Sequence, residues 1–327
     1  MPPDGESIVM VTPELAVSTD FKSFITRLKA TRQLDRVVID ECHVVLNDQK
    51  RFRRDLQRLG QLVMVETQMV LLTATLPPSK EAVMWERMGW KESEVVMIRM
   101  GTVRKNVRYR VVKVEGRLRD DEHDDLVARL VREETGKVVV YCNSKIRVNR
   151  LVATRLFECE GFHGETADRK KSSVLEAFRD GSTRVVVATS ALGIGVDILD
   201  IRLIIHADEP RNLLDYAQES GRAGRDGEVS KAVVVTGSDQ SEDVLVRRYL
   251  DGLGCRRIML DGFLDGVEGC MGCREGEEGC NGCRIEATLG EDELTEERER
   301  VVEGTEEEEE GNLRQEFEEQ QRQRVAI

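Results

Sequence analysis

Residues 184–197 read Arg184-Val185-Val186-Val187-Ala188-Thr189-Ser190-Ala191-Leu192-Gly193-Ile194-Gly195-Val196-Asp197. A short, valine-rich run with no polar alternation is the pattern of a strand buried on both faces, as in a parallel sheet covered by helices. The glycines then break it into a loop that ends in an acid. A second apolar run, Leu203-Ile204-Ile205-His206, follows closely. Beyond it comes Gln218-Glu219-Ser220-Gly221-Arg222-Ala223-Gly224-Arg225-Asp226-Gly227, with each arginine next to a glycine. A guanidinium is planar, permanently charged and grips phosphate oxygens with two donors. Flanking glycine lets backbone come close to a large anion. Alone, arginines set among Glu219 and Asp226 also fit a solvated helix face. With a strand, a glycine loop and a second strand before them, they read as one side of an anion site.

The same alternation extends in both directions. Upstream, a strand over 109–114, a helix over 122–134, a strand over 138–142 and helices over 144–158 and 168–179 are expected. Further upstream, Ser7–Val11 reads as a short buried strand stopped by Thr12-Pro13. A helix over 21–34 follows, with Phe21, Phe24, Ile25 and Leu28 on one face. Then come a strand over 36–41, a helix over 52–62, a strand over 69–72 and a helix over 79–88. Strands alternating with helices predict an α/β fold with parallel sheets. Residues 99–108 are polar, with 101–108 read as a link between two such sets. A helix over 241–253 leads into a cysteine-rich stretch.

Composition narrows the partners. The chain has 327 residues, enough for about two domains plus extras, and its 40% apolar content supports a core. It has no run of 18 or more apolar residues, so no membrane partner is expected. Met1-Pro2-Pro3-Asp4-Gly5-Glu6 lacks a basic and apolar leader pattern, so the cysteines are expected to be reduced or on metal. Net charge is −13, but residues 286–327 hold 16 acidic residues and 5 arginines, a net of −11, which leaves −2 for the rest. A near-neutral body can still carry a basic groove, so overall acidity does not exclude nucleic acid. The tail, with Glu306 to Glu310 unbroken, is read as disordered or solvated helix, able to meet a basic protein.

Two further clusters carry chemistry. Asp40-Glu41-Cys42-His43 sits at the end of an apolar strand. There an acid can hold Mg²⁺ and its neighbour can orient a water, although Asp-Glu after a strand also suits a helix N-cap. His43 can hydrogen-bond across a cleft, and the hydroxyls of Thr73 and Thr75 can relay such bonds from the next strand's exit. Of eight cysteines, Cys255, Cys270, Cys273, Cys280 and Cys283 fall within 29 residues of chain. Cys270-x-x-Cys273 and Cys280-x-x-Cys283 alone have the spacing of a four-thiolate zinc site.

In order, these pieces resemble the motifs of superfamily 2 helicases, and among them the RecQ family. Val11–Glu14 is similar to motif Ib, Asp40–His43 to motif II and Leu71–Pro78 to motif III. Val140–Ser144 is similar to motif IV, residues 188–197 to motif V and 218–227 to motif VI. The Phe162-His163-Gly164 turn resembles a Tyr-His-Ala segment of the same lobe. The Asp-Glu-Cys-His form is closest to fungal RecQ-like helicases.

The resemblance implies tandem RecA-like lobes. The first, incomplete, is expected over 1–100 and the second over 109–240. A RecQ-type zinc module is expected over 241–285, before the tail. It implies ATP and Mg²⁺ in the cleft between the lobes. Asp40, Glu41, Arg222 and Arg225 would be catalytic, and His43, Thr73, Thr75, Gly193, Gly195, Asp197 and Gln218 would line the nucleotide site. It also implies a Zn²⁺ site on Cys255, Cys273, Cys280 and Cys283, with Cys270 the competitor to Cys273. The implied work is ATP-driven 3′–5′ unwinding of DNA in recombination and repair, on single strands and duplex junctions, in the nucleus.

The departures are as informative. The family's phosphate loop, GxxxxGK[ST], does not occur; at Gly136-Lys137, Val138 stands where the hydroxyl belongs and Val131 where the first glycine belongs. The chain starts just upstream of the motif Ib-like segment, so the first lobe is expected to lack its adenine and phosphate-loop elements. Residues 44–59 contain only Phe52 where the family has an aromatic-rich loop. On these grounds the 327 residues alone are expected to hydrolyse little ATP. The alternative is a remnant that binds nucleic acid or a partner through the second lobe and zinc module.

Overall fold

A computed structural model describes residues 7–46, 58–62, 67–114, 120–193, 197–237, 241–252, 254–267 and 272–283. In the first lobe, Thr12 and Ser18 cap two helices in series, α1 (Pro13–Ala16) and α2 (Thr19–Ala30). Each accepts a backbone N–H that the helix start leaves unpaired. Strands β1 (Arg36–Ile39) and β2 (Gln68–Leu71) pair in parallel, and α3 (Pro78–Met88) ends at Gly89 with φ 71°. The left-handed conformation at that point favours glycine. Ile25, Ile39, Cys42, Val45, Met84, Trp85 and Met88 form the lobe's core.

The second lobe is a six-stranded, wholly parallel sheet. Its strands are β3 (Val107–Lys113), β4 (Lys137–Tyr141), β5 (Glu160–Phe162), β6 (Val185–Ala188), β7 (Ile201–His206) and β8 (Ser230–Thr236). The spatial order is β3-β8-β7-β4-β6-β5. The quoted Val185–Ala188 run is buried at every position, as a strand covered on both faces must be. Helices α4 (Asp120–Arg132), α5 (Lys145–Thr154), α6 (Asp168–Asp180) and α7 (Leu213–Ser220) make the crossovers. Two cores, one on each side of the sheet, hold alternate strand residues: Val139, Val186 and Ile204 on one, Val138, Val187 and Ile205 on the other.

Helices α8 (Val244–Asp251) and α9 (Arg256–Asp265) follow β8. Their Val246, Tyr249, Leu250, Leu260 and Leu264 belong to the same core as β3 and α7, so the cysteine-bearing segment is built onto the sheet rather than appended to it. Residues 1–283 form one compact unit; residues 284–327, the acidic tail, lie outside the described residues. No helix among the described residues is long and apolar enough to cross a membrane.

Several expectations need correction. Residues 7–11 are not a strand. Ile8 and Met10 are each 91% exposed, and among the described residues no backbone hydrogen bond joins this stretch to a sheet. An apolar run becomes a strand only beside a partner edge, and here Pro13 starts a helix at once. Of the expected helix over 52–62, only 58–62 are described, and they form a 3₁₀ turn. The helix expected to run to 158 stops at Thr154, where Arg155 takes a left-handed φ of 52°. The connection between the lobes ends earlier than expected, because β3 starts at Val107.

Candidate active site

The expected site residues converge on the cleft between the lobes. Asp40 and Glu41 lie at the carboxyl end of β1, just before a 3₁₀ turn that runs from Cys42 to Leu46. Glu41 adopts φ 50°, uncommon for a residue with a side chain and costing on the order of 1–2 kcal/mol. Its N–H is held by Asp40 Oδ1 at 2.9 Å, and its carboxylate lies 3.3 Å from His43 Nδ1. The glutamate side chain stays 61% exposed, open to the cleft solvent.

Across the cleft, Asn212 caps α7, accepting the Asp215 N–H at 2.8 Å. That helix presents Gln218 to the first lobe. The Gln218 amide nitrogen lies 2.7 Å from His43 Nε2 and 2.8 Å from Thr75 Oγ1. An amide nitrogen only donates, so its two protons serve these two acceptors and His43 Nε2 is unprotonated. The ring proton is therefore on Nδ1, which lies 3.0 Å from Thr73 Oγ1; that oxygen also accepts the Thr75 N–H at 3.1 Å. Burial pushes the His43 pKa below its ordinary value, against the opposing pull of Glu41, Asp215 and Asp40, which favours this neutral form. The turn after the acid-bearing strand, the threonine pair and α7, the helix that precedes the arginines, are thus joined by one set of hydrogen bonds.

The arginines lie at the end of α7. Arg222 donates to the Gly193 carbonyl, and Arg225 to Asp197 Oδ1 at 2.8 Å. Both are docked on the loop after β6, so two sequence stretches expected to share the site do meet. Gly195 falls outside the described residues. The turn that aims the arginines depends on Gly224, with φ 55°. A Cβ there would lie 2.5 Å from both Asn106 Nδ2 and Glu228 O.

Sequence reasoning missed what lies behind α7. His206, at the end of β7, is buried, stacks on Tyr141 and holds Glu219 through Nε2 at 2.8 Å. With Asp208, Arg211 and Asp215, these residues line a small polar pocket at the carboxyl ends of β4 and β7. Burial, then the neighbouring Glu219, raises the Asp215 pKa. The only signal was a histidine ending an otherwise apolar strand.

The cysteines form a second, separate constellation. The sulfurs of Cys255, Cys273, Cys280 and Cys283 all lie within 4.8 Å of one another. Cys255 Sγ is 3.5 Å from Cys273 Sγ and 3.7 Å from Cys280 Sγ. Four thiolates around zinc, with Zn–S near 2.3 Å, would have sulfurs about 3.8 Å apart, so the donor set fits that ion. Backbone N–H groups already point at the sulfurs: Arg256 to Cys280 at 3.3 Å, Cys280 to Cys273 and Cys273 to Cys283 at 3.4 Å. Gly282 permits the tight packing, since a Cβ would lie 2.2 Å from Gly254 O. The structure brings Cys273 into the cluster; Cys270 lies outside the described residues. Cys42 and Cys142 are buried, and burial raises their pKa values, Cys42 to about 12. They are packing residues.

Comparison with known proteins gives two family matches. Residues 4–83 match the DEAD/DEAH box helicase family and residues 122–227 the helicase conserved C-terminal domain. The chain is 32% identical over 232 residues to the ATP-dependent helicase SGS1 of Saccharomyces cerevisiae, covering 69% of this chain and 16% of that protein. It is 29% identical over 246 residues to the ATP-dependent DNA helicase RecQ of Bacillus subtilis, covering 73% of this chain and 39% of that protein. It therefore spans well under half the length of either relative. Among solved structures, S. cerevisiae Dbp5 bound to RNA and ADP BeF3 shares the fold, with a TM-score of 0.53 and 18% identity over 66% of this chain and 58% of that one.

Proposed function

Taking the chain as a RecQ-like superfamily 2 helicase, we propose that it acts as an ATP-dependent 3′–5′ DNA helicase in recombination and repair. The observation that carries this reading is the hydrogen-bonded junction of Gln218 with His43 and Thr75, which links an acid pair on one lobe to an arginine pair on the other. In this reading, Asp40 holds Mg²⁺ and Glu41 orients the attacking water. Arg222 and Arg225 leave Gly193 and Asp197 to meet phosphate charge, a contribution of ~10³–10⁵ in rate for such arginines. Bound ATP supplies the driving chemistry. The chain's own residues position water, sense charge and report it through Gln218 to the other lobe. Gly193 and Asp197 belong to the loop against which the arginines rest between cycles. DNA is gripped mainly through its phosphates, so binding should weaken steeply with salt. Cys255, Cys273, Cys280 and Cys283 hold Zn²⁺, and a nuclear location goes with this work.

One observation favours a second reading. The 327 residues contain no GxxxxGK[ST], the loop whose amides and lysine hold the phosphates. On their own they would bind nucleic acid or a partner while turning over little ATP.

ATP hydrolysis with and without single-stranded DNA separates the two. Helicase action requires DNA-stimulated turnover that Glu41→Gln abolishes. The binding reading requires salt-sensitive DNA binding with turnover no higher than in Glu41→Gln. The polarity of unwinding on tailed duplexes tests direction; separation only of 5′-tailed substrates would reject the 3′–5′ assignment.

A further inference from the structure

The segment joining the lobes is polar and contains Gly101, the pattern of a free hinge, yet helix α9 holds it on both sides of that glycine. Asp265, the last residue of α9, accepts the Thr102 N–H at 2.8 Å through Oδ2 and the Thr102 hydroxyl at 2.6 Å through Oδ1. Its side chain is only 5% exposed. On the other side of Gly101, Arg99 donates to the Leu264 carbonyl at 2.9 Å and to Glu81 on α3 at 2.6 Å. Glu81 belongs to the first lobe, whereas α9 packs in the core of the second and also lies against α7 and β3. The far end of the connection is held as well: Arg257, at the start of α9, donates to the Arg104 and Val107 carbonyls at 2.8 and 2.9 Å. One helix therefore grips the connecting segment along its length and ties it to a helix of the first lobe.

We propose that Asp265, with Arg99 and Glu81, is a positioning latch that sets the angle between the two lobes and so keeps Gln218 within reach of His43 and Thr75. Asp265 acts through the connection, by way of Thr102 and Arg99. The cysteine-bearing segment is then more than a stability element, because its helix carries the latch. The inference rests on reading the inter-lobe cleft as the working site, but its test needs no ATP turnover.

The test is a distance distribution between spin labels on noncanonical residues at Glu86 in α3 and Ser173 in α6, both exposed. The parent protein should give a narrow distribution. Asp265→Ala should broaden it toward longer distances. Asp265→Asn should restore it, because the amide can accept from the Thr102 N–H and donate to its hydroxyl. Should Asp265→Ala fail to fold, Glu81→Ala, on a partly exposed helix position, removes the first-lobe end of the latch and should broaden the distribution alone. An unchanged distribution in the folded variants would overturn the latch. Broadening without any DNA-stimulated ATP hydrolysis in the parent would uphold the latch and count against the helicase reading instead.

Discussion

Gln218 reaches across the cleft to the first lobe with a single amide. Removing it with Gln218→Ala deletes two hydrogen bonds, each worth about 0.5–1.5 kcal/mol net. Unfolding by denaturant should show a loss of about 1–3 kcal/mol. The junction should also respond to pH. His43 is held neutral, with a pKa below its unfolded value near 6.5. Its contribution to stability is therefore complete above the unfolded pKa. It declines as pH falls below about 6.5 toward the lowered folded value, because the unfolded chain takes up the proton first. His43→Gln should flatten that part of the stability–pH profile, and an unchanged profile would refute the assignment. Gly224 is a residue-scale test of the arginine turn. Gly224→Ala meets both a left-handed φ and contacts of 2.5 Å, and should cost at least about 1–2 kcal/mol in a thermal melt.

At the scale of elements, what was legible in the sequence was what depends on local pattern. The second-lobe strands were readable because parallel strands buried on both faces are apolar without interruption, as in Val138–Tyr141 and Val185–Ala188. The acids, threonines and arginines were readable because each ends a strand or helix. What pattern could not supply was partnership. Ile8–Val11 has strand composition but pairs with no strand among the described residues, and Arg155 ends a helix by its backbone rather than by a glycine or proline. His206 and Asp265 were invisible because their roles come from residues far along the chain, Glu219 and Tyr141 for one and Thr102 for the other. The cysteine cluster belongs to this scale too. Metal analysis should find about one zinc per chain, with Cys283→Ser losing it and the α9 segment losing protection, while Cys270→Ser keeps it. A metal-free protein with all thiols titratable would refute the site.

For the whole molecule, the fold makes one site from two lobes whose sheets are separate among the described residues. The first contributes a two-stranded pairing with acids at its end, the second a full parallel sheet whose α7 carries Gln218, with Arg222 and Arg225 in the turn that follows it. Helix α9 spans the connection, so the α8–α9 segment, the hinge and the cleft form one mechanical unit. Packing fixes α9 on the second lobe, since Leu260 and Leu264 share a core with β3 and α7. The claim on which the account stands is that the lobes are energetically joined at His43 and Gln218. A double-mutant cycle with His43→Ala, Gln218→Ala and the pair, read by denaturant unfolding, measures that join directly. The double variant should lose less stability than the sum of the single variants, by about 0.5–1.5 kcal/mol. Additive losses, within about 0.3 kcal/mol, would mean that the two residues do not act together and would contradict it.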